Sequence, residues 1–290
     1  MINQKKETAT GWLLISPVVL GILIFTALPF CLSLYYSFTK FDGIQAPEWR
    51  GFENYKILFA QPNFYKTLLA TGKYALISVV LSLVLSFLLG LLMNMKLKGI
   101  KVFRVLFYLP VIIPSVASAV VWKDIFNPTY VGIANRALSK IGLGPYLWFT
   151  SDSLALPTFI FISQWGIGGS MLMWLAGFNG ISPVLYEAAD IEGASRARKL
   201  FSITLPMMTP VIFYNLIMGI ISSLQTFNTA YIIGTRDSTR FIAVSIYEQA
   251  FVKWNMGYAC AMAWVLFAII FLLTSVVFKT SKWVYYGDER

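Results

Sequence analysis

Tyr74-Ala75-Leu76-Ile77-Ser78-Val79-Val80-Leu81-Ser82-Leu83-Val84-Leu85-Ser86-Phe87-Leu88-Leu89-Gly90-Leu91-Leu92-Met93-Asn94-Met95 is a stretch of 22 residues without an Asp, Glu, Lys or Arg. A hydrocarbon core about 30 Å thick needs about 20 such residues in a helix that rises about 1.5 Å per residue. Within lipid only a helix or a closed barrel satisfies every backbone N–H and C=O. Five further segments read the same way, so the set is 12–37, 74–95, 103–122, 155–180, 207–233 and 257–279. Of the 290 residues, 58% are hydrophobic, 12% are charged and none is His, and the mean hydropathy is +0.69. The chain is therefore all-α, a polytopic membrane protein of six transmembrane helices. No internal repeat or break in composition divides it, which predicts one transmembrane domain over 1–290.

The formal net charge is +10, but its Lys and Arg are scattered over several loops. That is the pattern of the positive-inside rule and not of a nucleic-acid interface. The densest cluster is the short link Lys96-Leu97-Lys98-Gly99-Ile100-Lys101 with Arg104, and Lys5, Lys6, Lys279 and Lys282 fall on the same side. That side is predicted to be cytoplasmic, and with an even number of spans both termini lie there. Parity puts the connection after the fourth span on that side too, and leaves 38–73, 123–154 and 234–256 outside. Stretches such as Asn127-Pro128-Thr129-Tyr130-Val131-Gly132 read as ordered turns. The apolar run after Lys5 and Lys6 continues to about Phe38 with no small-x-small cleavage site, so it reads as an uncleaved first helix.

No ionisable side chain stands in the middle of any span; Lys73, Lys123 and Lys279 are at edges, where their stems can snorkel. An ion-coupled carrier usually needs such a group, or else broken helices that offer backbone carbonyls, and a membrane enzyme working by acid–base or metal chemistry would need titratable or ligating groups, so both are disfavoured. Cys31 and Cys260, the only cysteines, lie in or beside apolar spans and make neither a disulfide framework nor a metal site. There is no Gly-x-x-x-x-Gly-Lys-Ser/Thr loop to cradle a nucleotide. Gly166-Ile167-Gly168-Gly169-Ser170 has no Lys and sits in an apolar span, where small residues serve close helix approach. An all-apolar bundle with no energy source of its own depends on a partner.

The connection after the fourth span, 182–206, has the composition of a docking element. Ser182 is a candidate N-cap and Pro183 fits the first helical position, which predicts a helix over 183–191. Gly193 supplies the positive φ that stops it. The acidic residues Glu187, Asp190 and Glu192 precede the basic Arg196, Arg198 and Lys199, an order that suits the dipole of a helix standing outside the bilayer. Ala188 and Ala189 keep one face thin for another surface. The competing reading is a helix lying on anionic headgroups, which would carry a longer apolar stripe and a more uniformly basic face.

Glu187-Ala188-Ala189, Gly193, and Ile203-x-Leu205-Pro206 resemble the EAA loop of ATP-binding-cassette importer permeases, with Glu192 where that pattern usually has Asp. Leu109-Pro110, Pro114, Trp122-Lys123, Phe126-Asn127-Pro128, Gly132-Ile133-Ala134-Asn135, Tyr186 and Lys282-Trp283-Val284-Tyr285-Tyr286 are similar to carbohydrate importers of the maltose and glycerol-phosphate type. The likeness runs from about residue 12 to 286, and the closing Trp-Val-Tyr-Tyr resembles the first of the two permease subunits. The resemblance implies the type I importer permease fold, a second permease subunit, two ATPase subunits that bind ATP and Mg, and an extracytoplasmic solute-binding protein. It also implies that Glu187, Ala188, Ala189 and Gly193 carry the ATPase contact, with Arg196 and Arg198 at its rim. This chain would hold no cofactor and perform no chemistry.

A neutral sugar needs placed polar groups and aromatic faces within an apolar lining. Ser163 and Gln164 of the fourth span and Gln225, Phe227, Asn228 and Tyr231 of the fifth are the candidates; on a continuous helix Gln225, Asn228 and Tyr231 share a face. Tyr214 and Asn215 rank behind them, nearer the cytoplasmic end. Amides in membrane helices also glue neighbours together, and both readings stay open. Trp122, Trp148, Trp174 and Trp254 read as interfacial anchors. A non-sugar solute such as a phosphorylated polyol, and a membrane scaffold or enzyme without an ATPase partner, are the alternatives.

Overall fold

The structure is a computed structural model that describes residues 4–95, 97–129 and 131–285, with residues 4–9 as backbone only. Lys96, Tyr130 and Tyr286 lie outside the described residues, as do the side chains of Lys5 and Lys6. Among the described residues the regular structure is helical apart from the two-residue strands Thr39–Lys40 and Glu48–Trp49, which pair antiparallel. Four helices are long and apolar enough to cross a membrane: Thr10–Ser37, Pro62–Asn94, Thr209–Ile233 and Met256–Lys279. Two bent pairs, Ile100–Ile112 with Ser115–Ile125 and Asp152–Gly166 with Gly168–Asn179, complete six if each pair is one span.

Several boundaries depart from the sequence reading for physical reasons. The second helix starts at Pro62 rather than 74, because Lys66 and Lys73 break the apolar run without breaking the helix. Its 33 residues span about 50 Å, well beyond a hydrocarbon core of about 30 Å. The predicted straight span 103–122 is instead bent by 98°. Ile113, held extended at ψ 127° in front of Pro114, cannot continue the helix. The fourth span bends by 49° at Ile167. The first contains a π turn at Leu23–Ala27, just before Pro29, whose missing N–H weakens the ladder there.

Contacts group into two compact units. One comprises residues up to Pro62 together with Ile246–Phe267. In it the first span meets the start of the last through Phe30, whose ring lies 4.7 Å from Trp264 and 5.7 Å from Phe267. The Trp264 indole donates to Ser33 Oγ at 3.1 Å. Beyond the span, buried Asn54 donates to the carbonyls of Ser37 and Thr39, both at 2.9 Å, which ties the 53–60 helix to the hairpin. The Ile44 and Gln45 N–H groups on Asp42 hold its carboxyl below the usual carboxylate range.

The other unit runs over Asn63–Ser245 and Ala268–Arg290. One end of it is an aromatic core of Tyr74, Phe126, Phe149, Phe159 and Phe241. The loop that feeds this core is organised by fully buried Asn135, which donates to the Asn127 and Tyr146 carbonyls and accepts from Tyr146 N–H and the Trp148 indole. At the opposite end Trp174, Phe178, Ile181 and Met208 pack together. Trp174 is 1% exposed and its indole donates to Ser86 Oγ at 2.8 Å, so it is a core residue and not an interfacial anchor. Arg104 caps the end of the second helix, its guanidinium donating twice to the Met93 carbonyl. Gly168 sits against the Phe107 carbonyl, where a Cβ would lie 2.0 Å from the oxygen, the close helix approach expected of that glycine run.

Candidate functional site

The 182–206 connection folds as a corner. A helix runs from Pro183 to Ile191, with Pro183 at its first position. Ser182 is extended at ψ 128° but its hydroxyl does not cap the helix, contrary to expectation. Gly193 takes φ +70°, and the turn closes through Gly193 N–H to the Asp190 carbonyl and Ala194 N–H to the Ala189 carbonyl. A second short helix, Arg196–Lys199, starts at Ser195, whose hydroxyl accepts from the Arg198 N–H.

The dipole argument is corrected by this geometry. Acids and bases lie on two different helices, and Asp190 occupies the last turn of the first, the unfavourable end for a carboxylate. Its charge is met instead by Lys199, 2.5 Å away. A single-helix reading missed this because Gly193 separates the two sets of charges.

Glu187, Ala188, Gly193, Arg196 and Arg198 are exposed, and Ala189 is half-buried. Val184, Ala188 and Ile191, at i, i+4 and i+7, form an apolar stripe on the open face, with Ile191 89% exposed. Val184 and Ile191 escaped sequence reasoning, although their spacing was readable. On the other face Tyr186 packs into the Trp174–Met208 cluster, and its hydroxyl lies 2.9 Å from Thr204 Oγ1. At the same end Phe213 packs on Trp283, and Tyr285 N–H donates to Thr209 Oγ1 at 2.8 Å.

The polar candidates of the fourth and fifth spans divide. Ser163 and Gln164 lie at the bend of the fourth. Gln164 Nε2 donates to Ser163 Oγ at 2.9 Å, and its buried Oε1 has no hydrogen-bond partner among the described residues. The Tyr74 hydroxyl of the second span faces Ser163 of the fourth and Thr226 of the fifth. Gln225, Asn228 and Tyr231 do not share a helical face as expected, because the helix breaks at Gln225 and resumes at Asn228 after a non-helical Phe227. No Pro or Gly marks that break. Gln225 is exposed. Asn228 donates to Ser115 Oγ at 2.9 Å, which favours the helix-linking role for that amide. Phe227 and Tyr231 stack at 5.2 Å.

Sequence reasoning missed a polar stripe. Tyr74, Ser78, Ser82 and Ser86 recur every fourth residue along the second helix. Asn215, Gly219 and Ser222, at steps of four and three, share a face of the fifth. They converge on a cavity of about 200 Å³ lined by Ser82, Ser86, Ser170, Asn215, Gly219 and Ser222 with apolar neighbours. Asn215, ranked low by its position along the span, is 8% exposed. Its Nδ2 donates to the Val211 carbonyl at 2.9 Å, and Oδ1 accepts nothing from the described residues. These hydroxyls and one amide offer uncharged donors and acceptors that suit a hydroxyl-bearing ligand or water.

Residues 82–282 match the family described as binding-protein-dependent transport system inner membrane component. A probable ABC transporter permease protein of Bacillus subtilis, YesP, is 40% identical over 99% of this chain and 95% of its own length. The trehalose/maltose transport system permease protein MalF of Thermococcus litoralis is 30% identical, covering 96% of each chain. A solved bacterial ABC transporter involved in the import of the acidic polysaccharide alginate superposes with a TM-score of 0.85 at 24% identity, over 96% of this chain and 98% of that one.

Proposed function

Because the chain belongs to the binding-protein-dependent transport system inner membrane component family, we propose that it is the permease subunit of an ATP-driven importer for a sugar or oligosaccharide. It does no covalent chemistry itself. In this reading it pairs with a second permease subunit to form the path. Two separate ATPase subunits hold ATP and Mg, and an extracytoplasmic solute-binding protein delivers the sugar to the loops within 38–73, 123–154 and 234–256. Both termini and the 182–206 loop face the cytoplasm. Glu187, Ala188, Ala189 and Gly193, with Val184 and Ile191, present the ATPase contact, and Arg196 and Arg198 lie at its rim.

The observation that carries this reading is the Pro183–Ile191 helix, which exposes an apolar stripe on one face while Tyr186 on the other is packed against the fourth and fifth spans. An exposed apolar stripe marks a surface for a protein or a membrane, and the acidic Glu187 and Asp190 on this helix favour a protein over anionic headgroups. The uncharged cavity at Asn215 and the Tyr74–Ser163–Thr226 junction favour a neutral, hydroxyl-rich solute. The sugar-transport relatives support the same class. The test is expression with its neighbouring genes followed by purification on a tag. Co-elution of an ATPase and ATP-dependent uptake of one sugar from a panel are expected, and uptake that proceeds with no hydrolysing partner would refute the reading.

A further inference from the structure

The corner at Gly193 looks like a hinge: the residue is exposed, and an added Cβ would meet nothing within 4 Å. The side chains around it argue the opposite. Two links cross from the Pro183–Ile191 helix to the leg that leads into the fifth span, one toward each end of the helix. Near its end, Asp190 holds Lys199 at 2.5 Å. Near its start, Tyr186 holds Thr204 at 2.9 Å.

The second link is built into an unusual piece of backbone. Leu200–Thr204 is a single π turn, a local form that recurs at functional positions. Thr204 is 6% exposed, and its Oγ1 donates back to the Lys199 carbonyl at 3.3 Å. With that proton committed, the Tyr186 hydroxyl is the donor to Thr204. One chain of hydrogen bonds thus runs from Tyr186 through Thr204 to the backbone of Lys199, whose side chain holds Asp190. The Tyr186 ring is meanwhile packed with Trp174, Phe178 and Met208. Two separated links plus a packed ring leave the helix no axis about which to swing.

We propose that Tyr186 and Asp190, acting through Thr204 and Lys199, are positioning residues that lock the Pro183–Ile191 helix to the foot of the fifth span, so that Gly193 is a fixed corner and the two elements move as one body. This rests on the reading that the helix docks on an ATPase. Motion imposed on the helix then reaches the part of the fifth span before its break at Gln225, the part that carries Asn215 and Ser222.

The test uses the complete importer with Cys31→Ser and Cys260→Ser, spin labels on Leu185→Cys and Tyr214→Cys, and electron–electron distances measured without nucleotide and after trapping with ATP and vanadate. Leu185 and Tyr214 are both exposed, and Leu185 lies on the Pro183–Ile191 helix outside the stripe offered to the ATPase. The expected result is the same label distance in both states. In Tyr186→Phe/Asp190→Asn the distance should become state-dependent while ATPase co-elution and basal hydrolysis are kept. The swap Asp190→Lys/Lys199→Asp should keep the distance fixed where Asp190→Lys alone does not. A trapped complex whose native distance changes between states, or a double variant that stays as rigid as the native chain, overturns the lock alone. A chain with which no ATPase associates overturns the functional reading and the lock with it.

Discussion

Gly168→Ala should be among the most damaging single-methyl changes in the protein. An ideal Cβ at Gly168 lies 2.0 Å from the Phe107 carbonyl oxygen, 2.8 Å from its carbon and 3.0 Å from Tyr108 Cα. Ordinary contact begins near 3.4 Å, so the two helices must part by about 1.4 Å. All three neighbours are backbone, and no side chain can rotate away. Overpacking a close-packed interior costs about 1–3 kcal/mol, and a backbone clash of this depth belongs at the upper end. About 3 kcal/mol is a factor of roughly 150 in an equilibrium constant and lowers a melting midpoint by roughly 6 °C or more. Fluorescence-detected size exclusion of the heated complex reads the shift directly. The two flanking glycines are the controls: nothing lies within 4 Å of a Cβ at Gly166, and Gly169 meets only Val111 methyls at 3.8 Å and beyond. If Gly168→Ala melts with Gly166→Ala and Gly169→Ala, the claim that the glycine run exists for one backbone approach is wrong.

Gly193→Val should reduce ATPase co-elution at least several-fold while membrane insertion stays normal, because φ +70° costs an L-residue about 1–2 kcal/mol and suits a β-branched one least; Gly193→Asn, which tolerates that region, should keep most of the association. Trp174→Phe removes the only indole bond to Ser86 and should lower the midpoint of thermal unfolding by an amount corresponding to about 1–3 kcal/mol, and an unchanged midpoint would make that bond incidental. Asn215→Leu should cut uptake of the native sugar about tenfold or more with ATPase co-elution intact, since it takes away the one amide in the cavity; normal transport kinetics would leave the cavity without a role. Asn228→Ala, by contrast, breaks a bond to Ser115 and should register mainly in thermal stability, by about 1 kcal/mol.

Much of the architecture was legible, and the failures have physical causes. Hydropathy located the membrane crossings because apolar length is what a bilayer selects, yet it was blind to the helical extension back to Pro62, where Lys66 and Lys73 are as acceptable as Leu. Capping logic found both ends of the Pro183–Ile191 helix through Pro183 and Gly193, whose backbone preferences are local. The kink at Ile113 was announced by Pro114 and was overlooked because the apolar run continued through it. The break at Gln225 carried no such mark and is set by tertiary packing. Among the candidate path residues, Ser163 and Gln164 sit where a polar junction forms. The amide of Asn215 was undervalued because position along a span was weighed and the four-residue recurrence of Tyr74, Ser78, Ser82 and Ser86 was not.

The second helix differs from most of its companions in having no joint. The first span has its π turn, the third and fourth bend sharply, and the fifth is interrupted at Gln225. Pro62–Asn94 runs uninterrupted for 33 residues. At one extremity Thr71 receives the Ile242 N–H at 3.0 Å, and at the other Arg104 grips the Met93 carbonyl. Ser82 and Ser86 stand between them on the cavity wall. Such a rod behaves as a keel for its own unit: the bent third and fourth spans and the interrupted fifth can fold and straighten while its hydroxyls keep their spacing. One wall of the cavity at Asn215 is therefore a constant ruler, and any change in its shape has to come from the wall opposite.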